Sequence, residues 1–343
     1  MVAWQHSARS SVGCPNMAPN ILTQGRVKDI AAQWPQFSRQ AEECPGNCGR
    51  EPQVLMERLT QMEPVIKYPG GKRLLAPLYR AELPKDLSQR NYYEPMCGGA
   101  ACWGQWHQEF RHTTIGDVSE HLIGFYRVLQ DPQQAAAVVA EIEDRIREYN
   151  GDLSQQERLF YLWRDVLNGK DTDNASRAVA YWLVNHTAFN GLMRYNRAGV
   201  YNVPWGKYKM VRGEPKKLLR WGAALTNTTI VHGTYVDTLT QAPMRAGDVV
   251  FLDPPYPGGF TAYSKYKFDD DDQLALAKHA TVLQAAGVLC YISLPDLPKV
   301  RKMYSAFRPV QYVVGRSISR NGGGRAPVGE LLLAPPIELL EAA

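Results

Sequence analysis

Five short apolar runs, each stopping at a turn, restrict what this chain can fold into: "NYYEP" (91–95), "HTTIGD" (112–117), "TTIVHGTY" (228–235), "VVFLDPPY" (249–256) and "GVLCYISL" (287–294). Helical patterns lie between them. After the first run a glycine turn leads into an expected helix from Ala100 to Phe110. Leu122, Phe125, Tyr126 and Leu129 recur at helical spacing in "SEHLIGFYRVLQ". "DDDDQLALAKHATVLQAAG" opens on aspartates suited to a helix N-terminus and stops near Gly287. Strands alternating with helices predict an α/β fold with a mostly parallel sheet.

The alternation breaks over residues 128–218. Helical patterns appear in "DLSQQERLFYLWRDVLNG" and "SRAVAYWLVNHTAFNG", followed by the irregular "LMRYNRAGVYNVPWGKYKMVRGEPKKLLR". This reads as an insertion with its own task, within an α/β domain made of residues 61–127 and 219–343. Residues 1–60 read as a flexible N-terminal extension, in which only "RVKDIAAQW" looks helical. One expectation is that Met56 or Met62 is the true start; its rival is a genuine, mobile N-terminal arm.

Composition excludes several classes. The chain has 343 residues, 45% hydrophobic, with a net charge of +5. That is the profile of a globular protein with a core. No apolar run is long enough to span a membrane, and the N-terminus lacks a signal-peptide core, so a cytoplasmic location is expected. Six cysteines do not make a disulfide scaffold. Cys44 and Cys48 in "CPGNCG" have no second Cys/His pair with finger spacing nearby, so no metal site is expected.

The run "VVFL" ends on Asp253-Pro254-Pro255-Tyr256. A carboxylate there must find a partner or water, and two prolines remove backbone donors and stiffen the turn. The Asp253 carboxylate and a neighbouring backbone carbonyl can both accept from one exocyclic amino group, which directs the nitrogen lone pair at an electrophile. The Tyr256 ring can stack on the base that carries the amino group. Such a base must be turned out of a duplex to be reached.

A second constellation is "YYEPMCGGAACW". Gly98 and Gly99 follow a strand and open a turn, and Asp117 ends the next strand. Glycine admits a ligand close to the backbone, and a carboxylate at that distance suits ribose hydroxyls, so an adenosine-containing cofactor is expected. The third glycine of a dinucleotide fingerprint is missing. "IKYPGGK" offers Tyr68 as an aromatic wall and Lys72 as a charge, without the spacing of a phosphate loop. From Arg194 to Arg220 there are eight basic residues against Glu214 alone, interleaved with Tyr195, Tyr201, Trp205 and Tyr208. This suits nucleic-acid contact. Lys265, Lys267, Arg316, Arg320 and Arg325 are further phosphate candidates. Trp163, Tyr181 and Trp182 read as core, and His186 and His232 as structural.

Together "KYPGGK", "EPMCGGA", the insertion, "DPPY" and "SISRNGGGRAPVGELLL" resemble the DNA adenine N6-methyltransferases of the Dam family, in the order of the α group. The resemblance runs from Val65 to Leu333. It implies a Rossmann-like S-adenosylmethionine-dependent methyltransferase fold with a mostly helical target-recognition domain inserted. By position it implies S-adenosylmethionine contacts from Tyr68, Lys72, Asp117 and Asp253, with Glu94, Gly98 and Tyr235 lining the pocket. Asp253, Pro254 and Tyr256 would hold the flipped adenine. "FNGLMRYNRAGVYNVPWGKY" resembles the family's recognition segment. There Arg194 would read a guanine of 5′-GATC-3′, Phe189 and Asn190 would enter the opened duplex, and Pro204 would meet the thymine methyl. Lys67 would read the outer guanine. Met96 and Tyr68 depart from the Phe and Trp frequent in relatives. The implied partner is double-stranded DNA, acted on by a monomer, and a cognate restriction nuclease is compatible with that. Cytosine-N4 or RNA-adenine methylation, or an inactive DNA-binding regulator, are the competing readings.

Overall fold

The computed structural model describes residues 62–241, 243–257, 268–314 and 328–343. The expected 1–60 extension with Cys44, Cys48 and Met56, and Lys265, Lys267, Arg316, Arg320 and Arg325, lie outside these residues.

All five expected strands form. They are β1 (Asn91–Glu94), β2 (His112–Asp117), β3 (Thr228–His232), β4 (Val249–Leu252) and β5 (Leu289–Pro295). Two more, β6 (Arg308–Val314) and β7 (Val328–Ala334), complete a seven-stranded sheet in the order β3-β2-β1-β4-β5-β7-β6. β1 to β5 are parallel, and β7 runs antiparallel to both its neighbours. β4 and β5 are buried along their whole length, as strands covered on both faces must be. The strand order reverses between β1 and β4. Crevices for ligands open at such a switch, outside the carboxyl ends of the strands. "EPMCGG" and "DPPY" leave the sheet there.

Helices fill the connections. α1 is Ala76–Tyr79, α2 is Ala101–Trp106 and α3 is Glu120–Gln130. α2 is shorter than expected: it tightens into a 3-10 turn at His107–Glu109, and Phe110 is already extended to feed β2. In the interrupted region come α4 (Pro132–Gly151), α5 (Gln156–Asn168) and α6 (Asn174–Thr187), followed by α7 (Lys217–Leu225). Asp131 and Asp173 cap α4 and α6 by accepting from backbone N–H groups of the first turn. α8 (Tyr235–Thr240) and α9 (Asp270–Ala285) each start on a reciprocal capping box, Thr234 with Asp237 and Asp269 with Asp272. α10 (Pro298–Met303) precedes β6, and α11 (Ile337–Ala342) follows β7.

The helices of 128–218 share the core of the sheet. Phe125 of α3 lies 5.3 Å from Tyr181 of α6, and Tyr126 stacks on Trp221 of α7 at 6.0 Å. Trp163, Tyr181 and Trp182 are all buried. His186 stacks on Trp182 at 3.7 Å and its Nδ1 is 2.9 Å from the Trp182 carbonyl, so it belongs to the packing. After α6 the chain makes an irregular hairpin, with bridges Ala188 to Trp205 and Tyr195 to Tyr201. The shared core holds this hairpin in fixed relation to the sheet.

Candidate active site

Asp253 is the first residue beyond β4. Its Oδ1 accepts from Lys72 Nζ at 2.7 Å, and Lys72 Nζ also donates to the Gly70 carbonyl at 2.9 Å. Lys72 is 4% exposed and Asp253 22%, so a buried ammonium backs a carboxylate with one open side. Sequence reasoning put Lys72 in the cofactor wall; the structure joins it to the Asp-Pro-Pro-Tyr turn. Burial pushes Asp253 up to about 6, against the pull of Lys72. Burial draws Lys72 down, but Asp253 and Glu330 outweigh it and the net shift is upward.

The turn itself is braced. Gln273 of α9 donates to the Pro255 carbonyl at 2.7 Å. The Tyr256 hydroxyl donates to Glu330, and Lys72 Nζ lies 5.1 Å from the Tyr256 ring centroid. Glu330, Ser293 and Tyr79 escaped sequence reasoning. The available signal for Glu330 was a single carboxylate opening the apolar run "ELLLA".

Across the switch point, Gly98 has φ +47, and a Cβ there would come 2.6 Å from Cε1 of the Tyr68 ring. Only glycine satisfies both the left-handed backbone and this approach. Gly98 N–H donates to Asp117 Oδ2 at 3.1 Å, and Ser119 N–H donates to Asp117 Oδ1 at 2.9 Å. Each carboxylate oxygen keeps a lone pair for a hydroxyl donor. Tyr68, Gly98 and Asp117 thus form one connected wall, and their chemistry fits an adenosine moiety. Glu94 turns inward instead. Its Oε2 accepts from Tyr92 hydroxyl at 2.7 Å and from Trp103 N–H at 2.8 Å, and burial lifts it to about 8. Tyr235 places its hydroxyl 2.7 Å from His279 Nδ1, bracing α8 on α9.

The expected DNA-reading residues gather on the hairpin. Phe189 is 52% exposed at its start, Asn190 adopts φ +54, and Phe189 N–H donates to the Pro204 carbonyl at 3.0 Å. Lys67 comes from a distant part of the chain to the same place. Its backbone N–H donates to Asn185 Oδ1 at 2.7 Å, and its Nζ reaches the His186 carbonyl at 3.1 Å and lies 4.6 Å from the Tyr208 ring centroid. Arg194 sits further along, its Nε donating to Asn202 Oδ1 at 2.9 Å. The basic run is not uniformly on offer, since Lys217 pairs with Glu63 and Glu214. Tyr195 ties the hairpin to α3 by stacking on His121 at 5.4 Å. Among the described residues no cluster of His, Cys, Asp and Glu could hold a metal ion, and no helix is long and apolar enough to cross a membrane.

Residues 68–316 match the family described as D12 class N6 adenine-specific DNA methyltransferase. The chain is 30% identical over 289 residues to the type II methyltransferase M.MjaIII of Methanocaldococcus jannaschii, covering 80% of this chain and 99% of that one. It is 30% identical over 273 residues to a DNA adenine methylase of Vibrio cholerae, covering 78% and 94%. The DNA adenine methylase of Escherichia coli K12 is 30% identical over 276 residues, covering 78% and 93%. With this match extending over most of its length, the chain belongs to the D12-class N6 adenine-specific DNA methyltransferases.

Proposed function

We propose that this adenine N6 DNA methyltransferase uses S-adenosylmethionine and acts within 5′-GATC-3′ of double-stranded DNA, with the target adenine turned out of the duplex into the Asp253–Tyr256 turn. The observation that carries this reading is the position of Asp253. It leaves the carboxyl end of β4 beside the turn that bears Gly98, at the point where the strand order reverses.

In this reading the Asp253 carboxylate and the Pro254 carbonyl accept from the N6 amino group. They aim its lone pair and stabilise the charge that grows on nitrogen. The Tyr256 ring stacks on the base. Tyr68, Gly98 and Asp117 hold the adenosine part of the cofactor, with Lys72, Glu94 and Tyr235 shaping the surroundings. When bound, S-adenosylmethionine would supply a methyl group carried on a sulfonium sulfur, whose leaving group is a neutral thioether. As nitrogen gains that carbon it loses a proton, and Asp253, lifted to about 6, can take it. Phe189 and Asn190 fill the space left by the base. Arg194, Pro204 and Lys67 read its neighbours, which makes 128–218 the recognition domain and the rest of the described chain the catalytic one. The enzyme acts as a monomer, and a cognate nuclease fits the naming of its type II relative.

The test is nucleoside mass spectrometry of unmethylated DNA after incubation with the protein and S-adenosylmethionine, with sites mapped by sequencing. N6-methyladenine confined to GATC is the expected result. The same base at other sites would discard the roles of Arg194, Lys67 and Pro204. Absence of a methylated base, from folded protein that binds the cofactor, would refute the proposal and favour an RNA substrate or a regulator.

A further inference from the structure

A carboxylate from the far side of the sheet closes the network around Asp253. β7 runs against the parallel strands, so its beginning lies at their carboxyl ends, and Glu330 is in register with Pro295 of β5. Glu330 is 5% exposed and is followed by Leu331, Leu332 and Leu333, all buried. An apolar residue would suit that strand without the cost of burying a carboxylate. Its Oε1 accepts from Ser293 Oγ at 2.9 Å and from the Tyr256 hydroxyl. Tyr79 hydroxyl lies 3.0 Å from Ser293 Oγ; because Ser293 gives its single proton to Glu330, Tyr79 donates to Ser293. Two hydroxyl protons therefore converge on one oxygen of Glu330. Lys72 Nζ lies 3.8 Å from that same oxygen, but it already has Asp253 at 2.7 Å. Glu330 is not needed to neutralise Lys72, and the cluster carries two carboxylates for one ammonium.

We infer that Glu330 is a positioning residue of the base-holding site, fixing the Tyr256 ring through its hydroxyl and adding a second negative charge beside the Lys72–Asp253 pair. The inference rests on the proposed role of Asp253 and Tyr256. Unanchored, a tyrosine after two prolines would be free to change rotamer; tied to Glu330 it presents one face to the base. The added charge keeps Asp253 more basic than Lys72 alone would leave it, which suits an acceptor of the N6 proton.

The test uses the full chain and methyl transfer to duplex DNA, followed from pH 5.5 to 9.5 with 2-aminopurine at the target position as a second readout. Glu330→Gln keeps an acceptor and removes the charge. It is expected to hold kcat within roughly threefold at the plateau while the acid limb moves to lower pH. Glu330→Leu removes both, and kcat is expected to fall roughly tenfold to a hundredfold, as does that of Tyr256→Phe. The double variant is expected to be no worse than either alone, because the two residues act as one unit. The 2-aminopurine emission of Glu330→Leu is expected to match that of Tyr256→Phe. Multiplying losses in the double variant, or wild-type kcat in folded Glu330→Leu, would overturn the inference. Should Glu330→Leu not fold, an unmoved acid limb in Glu330→Gln overturns it. Asp253→Ala separates the two levels: activity in that variant sinks the reading of the turn itself, whereas its loss together with unaffected Glu330 variants sinks only the role of Glu330.

Discussion

Replacing Lys72 by methionine keeps the length of the buried stem and removes the charge that faces Asp253 at 2.7 Å. At an effective dielectric constant of about 20, unit charges at that 2.7 Å separation attract by about 6 kcal/mol. Even a third of this, about 2 kcal/mol, raises a carboxyl pKa by about 1.5 units. The sign is upward because the ammonium favours the ionised form, and its loss also leaves Glu330 to repel that form. Asp253 would move from about 6 to about 7.5. At pH 6.5 its ionised fraction would drop from about three-quarters to about one-tenth, whereas at pH 9 both proteins would be almost fully ionised. Methyl transfer from labelled S-adenosylmethionine at saturating cofactor, followed from pH 5.5 to 9.5, measures the limb. Lys72→Met is expected to be roughly eightfold more impaired at pH 6.5 than at pH 9, beyond any loss common to all pH values. An acid limb that stays near its wild-type position, or one uniform loss across the range, would refute the claim that Lys72 sets the ionisation of Asp253.

Arg194→Ala should cost about 1–3 kcal/mol of discrimination at one base position, seen as relaxed preference across a panel of altered sites. Unchanged preference would remove Arg194 from the readout. Gly191 has φ +62, and a Cβ there would come 2.5 Å from Lys67 Cδ. Gly191→Ala should therefore lose about 1–2 kcal/mol of stability from the left-handed backbone and weaken DNA binding, with cofactor affinity unchanged by calorimetry. Equal loss of both affinities would contradict this local account. Glu94, lifted to about 8 by burial, holds a proton in the folded state that the unfolded chain releases near 4.5. Stability from this group is therefore lost as pH rises between those values, and Glu94→Gln should flatten the decline of Tm between pH 5 and 8. Parallel Tm profiles for the two proteins would show that Glu94 is not the group responsible.

Much of this molecule is visible before folding. Apolar runs such as "VVFL" and "VLCYI", short and bounded by turn signals, read as strands covered on both faces, and their alternation with helices points to a parallel α/β sheet. Motifs that close a strand are equally legible, because a carboxylate, a glycine pair or a double proline there serves no packing purpose. That logic singles out Asp253, Gly98 and Asp117 as candidates. It failed where a residue looks ordinary in its own strand or helix. Tyr79 reads as core, Ser293 as one polar residue in an apolar strand, and Glu330 as a charge on an edge. Only the antiparallel insertion of β7 between β5 and β6 brings Glu330 to Ser293, Tyr256 and Lys72.

The same limit explains Lys72 and Glu94. Sequence spacing ties each to the segment that carries it, and both segments look like cofactor turns. Tertiary structure decided that Lys72 reaches across 181 positions to Asp253, while Glu94 spends one oxygen on Tyr92 and Trp103 of its own segment. Local pattern determines which elements form and where they end, since periodicity and turn chemistry act over a few residues. Which ionisable groups share a low-dielectric space depends on strand order and on the core that α3, α6 and α7 build together, and distance along the chain carries no information about either.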